Sequence, residues 1–229
     1  PVTPGEYNVY LRYIPKDTEH YNTKYRTESV VIKKAPLTIT AEDKSIIYGD
    51  TAPEYTVSYS GFRGTDTSAD LNGTLQFDCD CKQYDSQGTY SITPKGLTSD
   101  NYEIEYVQGT LTVNPKPIVV TIDNKSSIYG DELAELTAAA DGIINNDKNI
   151  FKLSTEASKT AGVGSYDIIG TQLDNNYSIT FVNEKNAYLI TARGLTVDVV
   201  VADKQYDGLN TATISSATLN NIANGDTIG

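Results

Sequence analysis

The sequence predicts tandem modules of a β-dominated α+β fold, each with a grasp-like antiparallel sheet and one short helix. Two observations favour this fold class. A motif returns about every 80 residues, and short segments around it alternate apolar with polar residues, as half-buried strands do. Tandem all-β Ig-like sandwiches are the alternative that these observations leave open.

The returning motif is KSIIYGD at residues 44–50, with KSSIYGD at 125–131 and a looser copy, KQYDG, at 204–208. Each copy follows a short β-branched run, which places it where a strand meets a turn. Because glycine adopts a positive φ most readily, we expect Gly49 and Gly130 to supply tight turns after their tyrosines. The chain is therefore an array of modules.

Two further landmarks order the strands within a module. Gly-x-Tyr opens segments at residues 5–9, 88–92 and 164–168, and Asn-Tyr opens segments at 101–104 and 176–179. Their order predicts the end of a truncated repeat, two complete modules and the start of another, so both ends are expected to lie inside a module of a longer protein. The predicted boundaries are 1–35, 36–115, 116–192 and 193–229.

Alternation defines the strands, and a helical signal occurs once in each module. Residues 102–106 and 177–181 place apolar side chains on one face and mostly polar ones on the other. A sheet that is covered on one face favours antiparallel neighbours. Residues 65–71 carry Thr and Asp caps with Gly73 at the exit, and 146–151 is the equivalent stretch, so we predict one or two helical turns at each.

Charge and hydropathy exclude several classes of function. Thirty acidic and eighteen basic residues give a formal net charge of −12, which disfavours nucleic acid and anionic membranes as partners. No apolar run approaches the ~20 residues that cross a bilayer. We expect no nucleic-acid partner, no membrane insertion of this segment, and either a monomer or weak head-to-tail association through the chain ends.

Metal and cofactor sites have little support in the sequence. Cys79 and Cys81 are two residues apart, which in a strand places both on one face, but His20 is the single histidine and no second pair completes a zinc site. The calcium signature Asp-x-Asp-x-Asp-Gly does not occur. We expect no cofactor and no metal, and we leave open the state of the two cysteines and stiffening by calcium or isopeptide bonds.

No catalytic site is predicted. The sequence contains no nucleophile elbow, phosphate-binding loop or His-Glu-x-x-His motif. The acids on the predicted loops recur with no partner at a fixed spacing, and solvated acids are ordinary on loops. The acids considered as a possible hydrolytic pair are Asp66, Asp70, Asp78, Asp80, Asp141 and Asp147.

The seventeen tyrosines include two informative groups. Six recur at matching positions of the two modules, which predicts core or half-buried strand positions with the phenol oxygen reaching a turn or the surface. Five lack counterparts, and a tyrosine of a ligand surface is expected among these. The recurring six are Tyr48, Tyr129, Tyr90, Tyr166, Tyr102 and Tyr177. The other five are Tyr10, Tyr13, Tyr55, Tyr59 and Tyr84.

Together, these motifs resemble a known family. With the runs at 37–41 and 109–113 added, the first module resembles the MBG domain of the YGX type, a repeat of bacterial surface adhesins, and the second is similar to it. Residues 201–213 resemble the opening of the related YDG domain, and residues 5–32 the end of a bacterial Ig-like surface repeat. The resemblance implies a secreted, wall- or membrane-anchored bacterial protein and carries no catalytic residues to this chain.

We therefore predict that the chain is a non-enzymatic repeat region of a bacterial cell-surface adhesin, outside the cell, acting as a stalk or spacer. One alternative is that the modules themselves bind host glycans or mucin. Another is an ancillary module of a surface carbohydrate-active enzyme. Neighbouring modules of the same protein are the other expected partners, and the binding residues are unknown.

Overall fold

The computed structural model describes residues 2–223 and 225–228. The chain divides into two compact units, Pro1–Asn114 and Pro115–Gly229. The predicted β dominance is confirmed, and the all-β alternative fits, because the described residues form several small sheets and no α-helix. Each unit holds one module and one additional hairpin.

In the first unit, a hairpin precedes a module with two sheets. The hairpin consists of β1 (Gly5–Tyr13) and β2 (Lys24–Ile32). The strand order is β5-β3-β8 in one sheet of the module and β4-β9-β7-β6 in the other. The strands of the module are β3 (Ala35–Ala41), β4 (Lys44–Ile47), β5 (Val57–Ser60), β6 (Asn72–Cys79), β7 (Gly88–Thr98), β8 (Tyr102–Val107) and β9 (Gly109–Asn114).

In the second unit, a similar module precedes a hairpin. The strands of the module are β10 (Lys116–Ile122), β11 (Lys125–Ile128), β12 (Ala138–Asp141), β13 (Phe151–Thr155), β14 (Gly164–Tyr166), β15 (Ile168–Gln172), β16 (Tyr177–Val182) and β17 (Tyr188–Thr191). Its sheets have the orders β12-β10-β16, β11-β17-β14 and β13-β15. The hairpin consists of β18 (Thr196–Val201) and β19 (Ile214–Asn220).

Each module pairs its opening strands with its closing strands in parallel. The pairs are β3 with β8 and β4 with β9 in the first module, and β10 with β16 and β11 with β17 in the second. The expected antiparallel neighbours also occur, so the sheets that contain the parallel pairs are mixed, whereas β13–β15 is antiparallel throughout. Alternation shows only that one face is covered, whereas strand direction depends on where the chain returns to the sheet.

The short helix predicted for each module is wrong. Residues 65–71 contain only the 3-10 turn Ser68–Asp70, in which the side chains of Thr67 and Asp70 cap each other's backbone. In the second module Asn146 and Asn149 have φ values of +54° and +57°, which a right-handed helix excludes. Caps without enough consecutive helical residues cannot offset the cost of helix nucleation.

Alternating apolar residues of the opening strands supply the core of each module. Leu37 and Ile39 of β3 are fully buried, and Ile118 and Val120 take the matching positions on β10. Buried aromatic residues complete both cores, among them Tyr102 in the first module and Tyr188 in the second. Burial of these side chains is the main force that joins opening strands to closing strands.

An ion pair in the second module makes its stability depend on pH. Asp167 lies between β14 and β15, and its carboxylate accepts from Lys185 Nζ at 2.6 Å and from the backbone N of Asn186 at 2.9 Å. These contacts, the lysine first, lower the pKa of Asp167. A lowered pKa stabilises the fold above the unfolded value of about 3.9, and this stability is lost as the pH falls through the folded value.

We expect Asp167→Asn to lower the melting temperature at pH 7, with the difference disappearing in strongly acidic buffer. Calorimetry across that pH range measures the effect. Asp203→Asn, at an exposed position, is the matched control and should follow the unmodified chain. A difference at Asp167 that is equal at neutral and acidic pH would contradict the proposed origin.

Candidate functional site

The two Tyr-Gly-Asp segments form matching tight turns. Gly49 and Gly130 have φ values of +91° and +87°, which confirms the positive φ predicted for both. The same backbone hydrogen bond fixes both turns. The backbone N of Tyr48 donates to the carbonyl of Asn114 at 2.8 Å, and the backbone N of Tyr129 donates to the carbonyl of Thr191 at 2.9 Å. The turns therefore join the opening of each module to its close.

The aspartates of these turns are engaged within the fold. Asp50 Oδ2 accepts from the backbone N of Ile47 at 3.1 Å. The carboxylate of Asp131 pairs with the guanidinium of Arg193, whose Nε also donates to the carbonyl of Tyr129 at 2.8 Å. Carboxylates bound in this way hold a turn in place, which supports the structural interpretation of the tripeptide.

A second recurring feature is a tyrosine that bonds to the backbone four residues earlier. The Oη atoms of Tyr7, Tyr90 and Tyr166 each donate to a carbonyl at 2.7 Å. The acceptors are Thr3, Ser86 and Gly162. Bonds of this kind fix corners in β-sandwich proteins, and here each of them lies at the start of a strand, in β1, β7 and β14.

The Asn-Tyr tyrosines anchor the loops where helices were predicted. Tyr102 is 3% exposed, and its Oη accepts from the backbone N of Arg63 at 2.9 Å and donates to Asp66 at 2.7 Å. Tyr177 is 1% exposed and donates to Asp147 at 2.8 Å. Burial and the contact with Asp66 raise the pKa of Tyr102 despite the opposing Arg63 bond. Asp66 and Asp147, two of the acids considered for hydrolysis, therefore bind buried tyrosines and stabilise the loops.

Of the six acids considered for a hydrolytic pair, the structure brings Asp66 and Asp70 to one cleft, where both carboxylates are bonded within the fold. Asp78 bonds to Lys95 Nζ at 2.6 Å, and Asp70 caps the 3-10 turn. Asp80 and Asp141 lie at the surface of different units. Within residues 2–223 and 225–228, no group of three or more His, Cys, Asp or Glu side chains could hold a metal ion.

The structure separates the five tyrosines that lack counterparts. Tyr55 and Tyr59 are half-buried and pack in the core clusters of the first module. Tyr10, Tyr13 and Tyr84 are exposed by 78%, 70% and 42%. Only these three remain available to a ligand, and whether they bind one stays a prediction.

An open cleft of about 530 Å³ at the tip of the β1–β2 hairpin includes residues that sequence reasoning missed. Tyr13 and Tyr21 line it together with the pair formed by Asp17 and His20, whose Nδ1 lies 2.9 Å from Asp17 Oδ2. Tyr21 is 66% exposed. Like Tyr13, it has no counterpart in the complete modules, and this signal could have identified it.

The two cysteines lie in the core of the first module. Cys79 and Cys81 are free thiols and pack against the cluster of Ala41, Ile92 and Leu111. Burial raises the pKa of Cys81, and burial followed by contacts with Cys79 raises the pKa of Tyr55 to about 12. Both thiols face this cluster, although Cys81 follows the end of β6 at Cys79, and Cys81 Sγ also donates to the carbonyl of Lys82 at 3.6 Å.

We expect iodoacetamide to modify Cys81 at pH 7 at least about tenfold more slowly in the folded chain than in urea, because the thiolate is the nucleophile and burial disfavours it. Mass spectrometry with fragment ions separates Cys81 from Cys79. Equal rates in the folded and unfolded chain would contradict the half-buried position of Cys81.

Repeated corners, turns and buried tyrosines define a tandem array of β-rich modules in which most recurring polar groups serve the fold. The chain belongs to the family of the MBG domain (YGX type), whose model matches residues 37–112 and 118–185. MBG domains occur in extracellular bacterial proteins, and such repeats are consistent with a repeat region of a surface protein. The YDG-like and Ig-like resemblances of the flanking segments stay predictions.

A comparison with curated proteins found no match. Among the described residues, the structure contains no helix that is both long and apolar enough to span a membrane.

Proposed function

We propose that this chain is a non-catalytic stalk region of a bacterial cell-surface adhesin, located outside the cell. The observation that carries the proposal is the parallel pairing of β4 with β9 and of β11 with β17. In both modules, a strand near the beginning is thus bonded to the last strand, and both run in the same direction.

Parallel pairing of this kind suits a chain that is pulled from its two ends. Tension draws β4 and β9 in opposite directions along a common axis. Because the hydrogen bonds run between the strands along their shared length, all of them are strained together. An antiparallel terminal pair would instead open one bond after another. The geometry therefore supports a spacer that transmits force.

The use of polar groups within the modules also supports a spacer. The hydroxyls of Tyr90, Tyr102, Tyr166 and Tyr177 bond within their own modules. Groups used in this way hold turns and loops in place, and a repeating set of them suits modules whose common task is to keep their shape.

Single-molecule force spectroscopy on the full chain tests the proposal. Pulling from the two termini should give two main unfolding events, each releasing roughly 250 Å, the length of about 75 extended residues. In the control, force is applied through Lys152→Cys and Thr171→Cys, which face each other across the antiparallel β13–β15 pair, with Cys79 and Cys81 replaced by Ala. This geometry should need a lower force, and equal forces would contradict the proposal.

The cleft at the tip of the β1–β2 hairpin favours a second candidate function, binding of host glycans. Exposed tyrosine rings stack on sugar rings, and Asp17 and His20 offer polar groups beside them. A glycan array with the full chain and with Tyr21→Ala distinguishes the functions. A stalk predicts no saturable binding, whereas binding that Tyr21→Ala abolishes would support the glycan function.

The third function considered, an ancillary module of a surface carbohydrate-active enzyme, depends on the rest of the protein and stays a prediction.

A further inference from the structure

The chain contains the acceptor pattern of N-linked glycosylation, Asn-Xaa-Ser/Thr, at residues 72–74, 124–126 and 176–178. All three lie in the complete modules. Because the pattern is short, the surroundings of each asparagine decide whether it can carry a sugar. An attached glycan is bulky and remains at the protein surface. The acceptor asparagine therefore needs an exposed side chain that the fold does not use.

The first of these asparagines meets both conditions. Asn72, Gly73 and Thr74 are all exposed. Within residues 2–223 and 225–228, neither the side-chain amide of Asn72 nor the hydroxyl of Thr74 bonds to another residue. A sugar on Asn72 would therefore displace no hydrogen bond of the module.

The fold uses the other two asparagines. Asn124 Oδ1 accepts from the side-chain amide of Asn183 at 3.0 Å. Asn176 is half-buried, its backbone N donates to Asp174 Oδ1 at 2.8 Å, and it directly precedes the buried Tyr177. A sugar would crowd the amide pair at Asn124, and at Asn176 the loop would have to open before a sugar could be attached.

Asn72 begins an edge strand that contains a β-bulge. β6 is the last strand of the order β4-β9-β7-β6, and its pairing with β7 shifts between Gly73 and Gln76, so that two residues of β6 oppose Gly96 alone. Gly73 has a φ of +89°, and an added Cβ there would overlap the carbonyl O of Gly96. Bulges at sheet edges interrupt pairing and re-aim side chains. The acceptor pattern thus lies in a part of β6 that is open to an enzyme.

The second module shows that the fold does not require this bulge. There the corresponding pair is β13 with β15, since β13 begins at the end of the stretch equivalent to residues 65–71. This pair keeps one register from Phe151 opposite Gln172 to Thr155 opposite Ile168, and β13 contains no acceptor pattern. Bulge and acceptor therefore occur together in the first module and are both absent from the corresponding strand of the second.

We propose that Asn72 is an attachment site for an N-linked glycan. The co-substrate is an oligosaccharide that is joined through its anomeric carbon to a lipid pyrophosphate. Asn72 Nδ2 forms a bond to that carbon, the bond from the carbon to the pyrophosphate breaks, the lipid pyrophosphate leaves, and the amide loses one proton. The inference uses the occurrence of MBG domains in extracellular bacterial proteins and does not depend on the proposed stalk function.

A glycan at Asn72 also protects the edge of the sheet. Open edge strands can pair with strands of other chains, and natural proteins cover or interrupt such edges. A bulky, hydrophilic group at the start of β6 obstructs this pairing. The glycan would therefore act together with the net charge of −12 to keep the modules apart.

The test uses the folded full chain, an oligosaccharyltransferase and a lipid-linked oligosaccharide, with fragmentation mass spectrometry to locate the sugar. Peptides of residues 68–78, 120–130 and 172–182 control for the sequence preference of the enzyme, and each rate in the chain is divided by the rate of its peptide. Because Asn176 becomes available only when its loop opens, we expect Asn72 to react at least about tenfold faster than Asn176. Asn124 should lie between them.

Two variants confirm that the acceptor pattern is responsible. Thr74→Ala should abolish transfer to Asn72, whereas Thr74→Ser keeps the pattern and should retain it. Thermal unfolding of both variants checks that the fold is unchanged, and the unmodified chain with its peptides decides if it is not. Transfer to Asn72 that is no faster than transfer to Asn176, or that survives Thr74→Ala, would overturn the proposal. Protein isolated from the cells that produce it should carry a sugar on Asn72, and an entirely unmodified Asn72 there would also overturn it.

Discussion

Gly130→Ala is expected to destabilise the second unit by about 2–5 kcal/mol. Gly130 has a φ of +87°, a region where an L-residue loses roughly 1–2 kcal/mol. An added Cβ would also overlap the Cβ of Ala223, and overpacking of this kind costs ~1–3 kcal/mol. Denaturant unfolding of the full chain, with separate probes in the two units, measures the effect, and the first unit should change little.

Two further variants separate the causes of this loss. Ala223→Gly removes the overlap and leaves the φ strain, so Gly130→Ala in that background should cost only about 1–2 kcal/mol. Gly194→Ala is the control, because a Cβ there meets nothing within 4 Å. If Gly130→Ala leaves the free energy of unfolding of the second unit unchanged, the structural interpretation of the Tyr-Gly-Asp turn is wrong. A role of this tripeptide in ligand recognition would then have to be tested.

Tyr102→Phe and Tyr177→Phe should each cost about 1–3 kcal/mol in their own unit, because each removes a hydroxyl that bonds to part-buried groups. Tyr102 Oη accepts from Arg63 and donates to Asp66, and Tyr177 Oη accepts from the backbone N of Ile144 at 3.2 Å and donates to Asp147. Thermal unfolding of the two variants measures the loss.

The matched control is Tyr10→Phe, where the ring is 78% exposed and the change should stay within about 0.5 kcal/mol. A double-mutant cycle with Asp66→Asn should give a coupling of at least about 0.5 kcal/mol with Tyr102→Phe. Strict additivity of the two changes would mean that the Tyr102–Asp66 bond does not hold the loop.

Much of the module could be predicted from residues that recur. The Tyr-Gly-Asp turns were predicted because two glycines follow tyrosines at the ends of β-branched runs, and both have the expected positive φ. Tyr102 and Tyr177 were expected in the core with their hydroxyls at a turn, which is where they lie. Recurrence separates structural residues from others because every copy has to fold.

The errors came from features that local sequence does not determine. Thr67 and Asp70 were interpreted as helix caps and instead cap one 3-10 turn, because Leu71 already leads into β6. The parallel pairs β3–β8 and β4–β9 were not predicted. The hairpin-tip cleft was also missed, because Tyr21 shares a loop with Asp17 and His20 without any recurring spacing.

The sequence by itself determined the repeat, the family and the side chains that face the core, because period and alternation are local properties that every copy repeats. Only the tertiary structure decided that opening and closing strands run in parallel and that Asp66 and Asp147 bind buried phenols. It also decided that Val199 of β18 is 47% exposed, although its strand has the same apolar pattern as the one that carries the fully buried Ile39. Burial depends on which distant strand arrives beside a residue, and no local pattern contains that information.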